Sequence, residues 1–164
     1  MSDSADVTIS GLFKRETKGH TTQPVTLAIE RGRIQFFAKS LGDIDPVHSN
    51  VEHARAKGHP DLVAPPSFCI VIEALARDAA AARDEQSVID VIGADFRYLL
   101  HGNETYTYEG LIFAGDEVSL TSRVVDFYDK KGGAMEFAVI ESLVTHAERG
   151  VLIRATRTLL HKLA

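Results

Sequence analysis

Two patterns along the 164-residue chain predict an α+β domain in which one curved antiparallel sheet wraps one long buried helix. Residues 64–85, APPSFCIVIEALARDAAAARDE, are apolar nearly all round at first: from Phe68 to Leu75 only Glu73 is polar. From 94 to 161 the pattern turns to strands, separated by HGN, AGD, DKKGG and AERG, each a turn-forming sequence. A helix that is apolar on all sides needs a wrapper, and a run of strands with short connections supplies one.

The elements follow in order. Residues 30–41, ERGRIQFFAKSL, place Ile34, Phe37, Ala38 and Leu41 at helical spacing, with Gly42 as the stop. Residues 50–58, NVEHARAKG, predict a short helix with Asn50 as its cap and Gly58 as its end. The long helix opens at Pro65 and Pro66, where a first turn tolerates proline, and becomes polar on one side from Arg77. Strands are expected at 94–100, 104–111, 117–128, 134–146 and 151–161, with a hairpin at Lys130–Gly133. Connections this short make the strands antiparallel. No repeat or low-complexity linker interrupts the chain, so residues 1–164 read as a single domain, with 1–20 peripheral or partly disordered.

Composition narrows the function. A net charge of −5 argues against nucleic-acid binding, which needs excess positive charge to neutralise phosphates. No apolar stretch reaches the roughly 18 residues of a spanning helix, and the acidic N-terminus does not read as a signal peptide, so no membrane association is expected. The single cysteine, Cys69, sits in the apolar run and reads as a reduced, buried thiol, which fits the cytoplasm. No Cys/His grouping has zinc spacing, so no metal is expected.

The chemistry concentrates in GDIDPVHSN, residues 42–50. Asp43 stands five residues before His48, with Asp45 and Pro46 between them. Asp-x-Asp-Pro is a good turn by itself, because aspartate side chains bond the backbone two residues on. The same bend also brings a carboxylate and an imidazole together, and imidazole titrates near neutrality, at about pH 6.5.

Two segments carry a family resemblance. FFAKSLGDIDPVHSNVEHARA is similar to the hydratase signature of an aromatic, G-D-x-(N/D)-P-aliphatic-H and a short helix. LLHGNETYTYEGLIFAGDEV, with the strands after it, resembles the opening of the sheet in the N-terminal MaoC-type dehydratase branch. Over residues 25–162 the chain thus resembles the MaoC-like (R)-specific enoyl-CoA hydratases and 3-hydroxyacyl dehydratases, which have the hot-dog fold. The resemblance implies addition of water to a trans-2-enoyl thioester, or the reverse, with Asp43 and His48 as the catalytic pair and Asp45 fixing the loop or the substrate. It implies no cofactor, since the thioester on coenzyme A or acyl carrier protein is itself the activated group.

Such chemistry also needs a donor to the thioester oxygen, commonly a backbone N–H where the buried helix begins. There the family's aliphatic-His-Gly is replaced by VAPPSF. Ala64 or Pro65 matches the position, and prolines have no N–H, which leaves Ala64, Ser67 and Phe68 as candidate contacts. The resemblance further implies two units paired, as a homodimer or with a second hot-dog chain. A non-catalytic acyl-binding or stabilising subunit is the alternative reading, motivated by VAPP. A thioesterase would rest on Glu73, the only carboxylate in the helix's apolar half. His53 and His59 read as solvated, His101 as a strand-end residue, and Tyr98, Tyr106 and Tyr108 as packing. Arg97 and Lys39 are basic residues available to coenzyme A phosphates.

Overall fold

The computed structural model describes residues 11–163. One antiparallel sheet has the order β1-β3-β4-β5-β2, with β1 Val25–Ala28, β2 Leu99–Tyr108, β3 Glu117–Lys130, β4 Met135–His146 and β5 Gly150–Lys162. The helices are α1 Arg31–Leu41, α2 Val51–Ala56, α3 Cys69–Ala81 and α4 Val88–Val91. Among the described residues, no helix is long and apolar enough to cross a membrane.

The helix lies against the sheet as the pattern predicts. Phe68, Cys69, Ile72 and Ala76 pack in one cluster with Val118, Val144, Leu152 and Ile153. Phe68 and Ile72 are at most 1% exposed, and burial of each contributes about 1.5–3 kcal/mol. The sheet curves because it carries three register shifts, at Val124/Asp126, Val144/Thr145 and His101/Glu104. An extra residue on one side of a ladder bends the strand and strengthens its twist.

Several expectations need correction. HGN is not a turn between two strands. Residues 102–103 face only Thr158, which makes a bulge inside the single strand β2. Gly102 is required there, because a Cβ would lie 2.8 Å from the Thr158 carbonyl oxygen. Residues 95–98 form a turn rather than a strand, and the ladder begins at Leu99. The prolines hold 64–68 outside the regular helix, so α3 starts at Cys69. Two elements were not anticipated: the four-residue β1, and α4, which Ser87 and Asp90 close with a capping box.

β2 also does not pair with β3, although AGD nearly joins them. It lies three places away, beside β5. Three strand spacings come to about 14 Å. Residues 109–116 reach up to about 26 Å when extended, so a short connection still crosses the sheet's end.

Of the first twenty residues, 1–10 lie outside the described ones. The next few are held tightly. Phe13 is buried, and the Leu12 and Phe13 N–H groups donate to Glu136 Oε1 at 2.7 and 3.0 Å. His161 donates from Nδ1 to the same oxygen at 2.8 Å, and its Nε2 accepts from the Asp95 N–H at 2.9 Å. Glu136 and His161 are each at most 1% exposed, so these bonds are what makes their burial tolerable.

Candidate functional site

The Asp43–His48 bend is built from the end of α1 outward. Gly42 takes φ 71°, a left-handed conformation that glycine adopts freely, and the Asp43 N–H returns to the Ala38 carbonyl at 2.9 Å. The chain leaves the helix abruptly as a result. Asp43 Oδ1 then accepts from the Asp45 N–H at 3.0 Å, and Asp45 Oδ1 accepts from the Val47 N–H at 3.0 Å. Asp45 thus fixes the loop, and it caps the short turn Pro46–His48. Asn50 accepts from the His53 N–H and starts α2, as its sequence predicts.

These turns deliver two side chains to one place. His48 Nε2 stands 3.3 Å from Asp43 Oδ2. His48 is buried, whereas the Asp43 side chain is 32% exposed, so the pair has one dry partner and one open to solvent. His48 Nδ1 lies 2.7 Å from the Val63 carbonyl oxygen. A carbonyl only accepts, so Nδ1 carries the proton and Nε2 is the nitrogen free for exchange. The sequence gives no hint of Val63, because the interaction is made by its backbone.

A 360 Å³ depression opens beside Asp43, bounded by Gln35, Lys39, Ile44 and Ser49. Ile44 is 93% exposed, and Phe36 and Leu41 on α1 are also bare. Beneath them Phe37 packs edge-on against Phe68, with ring centroids 5.6 Å apart, which joins α1 to the root of α3.

The start of α3 is mostly committed. The Ala64 N–H donates to the Ile112 carbonyl at 2.8 Å and the Phe68 N–H to the Pro65 carbonyl at 3.1 Å. Pro65 and Pro66 have no N–H. Ser67 differs: it sits at φ 66°, and its N–H donates to the Tyr108 hydroxyl at 3.0 Å. A side chain in that left-handed region is strained by roughly 1–2 kcal/mol. Tyr108 reads as a packing residue in the sequence, because nothing there shows that it meets Ser67.

The remaining candidates lie elsewhere. His101 is largely exposed on β2, and His59 packs near Phe113 with centroids 5.8 Å apart. His53 is half-buried on α2, and Tyr98 is half-buried ahead of β2. Arg97 is tied to Asp95, whose carboxyl it pulls down to about 2 through their hydrogen bonds. Tyr106 donates to Glu104 at 2.7 Å, and Glu73 pairs with Arg157 in the interior. Burial pushes the Cys69 thiol up to about 12, so it is inert. Among the described residues no three His, Cys, Asp or Glu side chains group as metal ligands.

Comparison with known proteins agrees with this architecture. A family model described as FAS1-like, dehydratase domain region, matches residues 16–155. A UPF0336 protein of Leifsonia xyli is 33% identical over 131 residues, 80% of this chain and 83% of its own. A UPF0336 protein of Saccharopolyspora erythraea is 32% identical over 138 residues, 83% of both chains. Among solved structures, a C-terminally truncated HadBC (3R-hydroxyacyl-ACP dehydratase) complex of Mycobacterium tuberculosis superposes with a TM-score of 0.69 at 18% identity, covering 88% of this chain and 96% of that one. The R-hydratase PhaJ1 of Pseudomonas aeruginosa superposes at 0.62 and 15% identity, covering 90% and 83%. The match of the family model over residues 16–155 places the chain in the FAS1-like dehydratase-domain family, and the sheet order, the wrapped helix and the solved structures give it the hot-dog fold.

Proposed function

We propose that this protein is a hydro-lyase that interconverts trans-2-enoyl and (R)-3-hydroxyacyl thioesters. The carrying observation is the 3.3 Å approach of His48 Nε2 to Asp43 Oδ2 on a bend whose every turn is hydrogen-bonded. Hydration needs one group to take a proton from water and one to give a proton to C2. A water seated on both passes a proton to Nε2 as its oxygen attacks C3, and that proton crosses the gap to Oδ2 and is delivered to C2. Atoms and charge balance, and no cofactor or metal takes part.

Charge that develops on the thioester oxygen needs a donor. With the Ala64, Ser67 and Phe68 N–H groups committed, the Tyr108 hydroxyl is the donor that serves. The Tyr108 oxygen accepts from Ser67, so its own O–H is free to donate, backed by the positive end of α3. The thioester is carried on coenzyme A or acyl carrier protein, and Lys39 beside the depression is the cation nearest to hand for its phosphates.

The unit works as a homodimer in this reading. β2 is a ten-residue edge with no proline and no lysine, and Leu100 upon it and Phe96 just before it are exposed. An edge of that kind invites pairing with a second sheet. The competing reading, a non-catalytic subunit of a heteromeric dehydratase, is favoured by the crowded start of α3. The test is loss of enoyl-thioester absorbance with the purified chain alone, beside His48→Ala. Turnover by the wild type at least a hundredfold above the variant supports the enzyme. An inactive chain that gains activity only with a second hot-dog subunit carrying its own Asp/His pair supports the alternative.

A further inference from the structure

The inner face of β2 carries a chain of contacts that the Asp43–His48 pair does not use. Glu104, Tyr106 and Tyr108 alternate along the strand and stand opposite Arg157, Ala155 and Ile153 of β5. The bulge at Gly102 sets that phase. One extra residue turns every later side chain to the other face of the sheet. With an unbroken ladder Asn103, Thr105 and Thr107 would point inward instead.

The strand is tied to α3 at two points. At the first, the Arg157 guanidinium pairs with Glu73 on α3, and its Nε lies 2.6 Å from Glu104 Oε1. Glu104 Oε2 accepts from the Tyr106 hydroxyl at 2.7 Å. The side chains of Arg157, Glu73 and Glu104 are 13, 15 and 27% exposed, so these ion pairs are screened far less than surface pairs. Burial, helped by Glu104, pushes the Tyr106 phenol up, so it stays protonated and keeps donating. At the second point, just before α3, the Ser67 N–H donates to the Tyr108 hydroxyl at 3.0 Å.

The two tyrosine rings join these ties. Their centroids are 6.1 Å apart and their planes 29° from parallel, so Tyr106 backs Tyr108 as an offset stack. Tyr106 packs on the core, whereas Tyr108 is 47% exposed. An exposed side chain changes rotamer in nanoseconds or less unless a fixed neighbour stops it. A donor aimed at developing charge acts only while it is held in direction.

We propose that Tyr106 is a positioning residue for the oxyanion donor. Glu73, Arg157 and Glu104 anchor its hydroxyl, its ring stops the ring of Tyr108 from swinging, and the Tyr108 O–H is thereby aimed. This role rests on the reading of Tyr108 as the donor to the thioester oxygen.

The test is a double-mutant cycle on the full chain, with kcat and KM measured for crotonyl-CoA. Tyr106→Leu should lower kcat about tenfold with KM within twofold. Tyr106→Phe keeps the ring but loses the anchor, and should lower kcat about threefold. In a Tyr108→Phe background, where no hydroxyl is left to aim, neither change should move kcat by more than about 1.5-fold. A merely structural role lowers kcat by the same factor in both backgrounds. If Tyr106→Leu fails to fold, Tyr106→Phe carries the same cycle. Amide exchange at Ser67, followed by NMR, needs no turnover: loss of the Tyr106 ring should speed it at least fivefold, because the Tyr108 hydroxyl no longer stays on that N–H. Equal factors in the two backgrounds, or unchanged exchange at Ser67 in the folded Tyr106→Leu protein, overturn the proposal while the donor role of Tyr108 stands. Wild-type kcat in Tyr108→Phe, or no turnover by the wild type, removes the donor role and this one with it.

Discussion

Asp43→Asn separates chemistry from architecture in one atom. The amide oxygen replaces Oδ1 and still accepts from the Asp45 N–H, now 3.0 Å away, so the bend survives. The amide nitrogen replaces Oδ2, 3.3 Å from His48 Nε2, and donates to the one ring nitrogen that must exchange protons. The variant therefore blocks the base and removes the proton relay while His48 keeps its bond to Val63. Acid–base catalysis by a positioned group is worth about 10²–10⁴-fold, so kcat should fall by that factor, which is about 2.7–5.4 kcal/mol in the barrier. Stability should barely move, because an ion pair with a carboxylate this open to solvent contributes about 1 kcal/mol or less. For a chain of this size that is a shift of roughly 4 °C or less in Tm. The measurement pairs the decay of enoyl-thioester absorbance with a thermal melt. A variant that melts like the wild type and keeps kcat within fivefold refutes the acid–base role of Asp43, whatever His48 does.

Three further outcomes are expected. Tyr108→Phe removes the acceptor of the Ser67 N–H and the free hydroxyl together, and kcat should drop about 10²-fold with KM little changed; an equal rise in KM with kcat intact points to substrate binding instead. Arg31 bonds Asp61 through two nitrogens and holds its carboxyl down to about 2, against about 3.9 when unfolded. A depressed folded pKa contributes stability that is full above about pH 4 and is lost as pH falls toward 2. Chemical denaturation across that window should show a slope that Asp61→Asn reduces, and an unchanged slope counts against the pair. Gly102→Ala drives a Cβ against the Thr158 carbonyl and should cost about 1–3 kcal/mol, with faster amide exchange confined to β2 and the turn before it; uniform acceleration across the sheet contradicts that assignment.

The sequence carries this fold wherever a pattern is local. Helical spacing in α1, the cap at Asn50, the apolar body of α3 and the β3–β4 hairpin are all set by residues close to one another, and all are legible. The missing features depend on partners far along the chain. β2 belongs beside β5 because of the whole sheet, and the Gly102–Asn103 bulge mimics a turn to any short-range reading. Glu136 and His161 look like ordinary strand residues until the segment at Leu12 and Phe13 is seen to close over them. At the candidate site, the bend is legible because Gly42, Asp43, Asp45 and Pro46 each have a backbone reason to be there. The setting of His48 is less so, since its partner is the Val63 carbonyl, which any residue type supplies. The contact of Tyr108 with Ser67 emerges only from the packed molecule, as does the strain at Ser67.

The sheet order also dictates an itinerary for assembly. β3, β4 and β5 follow one another through tight turns and form a meander from neighbouring sequence. Their ordering pays little loop-closure entropy and can come early. β1 and β2 dock on opposite flanks of that meander: β1 meets β3 across a stretch that holds all four helices, and β2 meets β5 only after β3 and β4 have been made. Both margins are thus late arrivals. Until β2 arrives, β5 presents a bare flank rich in Val, Ile and Leu, and the nascent protein is at its most adhesive then. A neighbour that captures that flank first would yield strand exchange between chains, so dilution and low temperature should favour recovery of the correctly closed molecule.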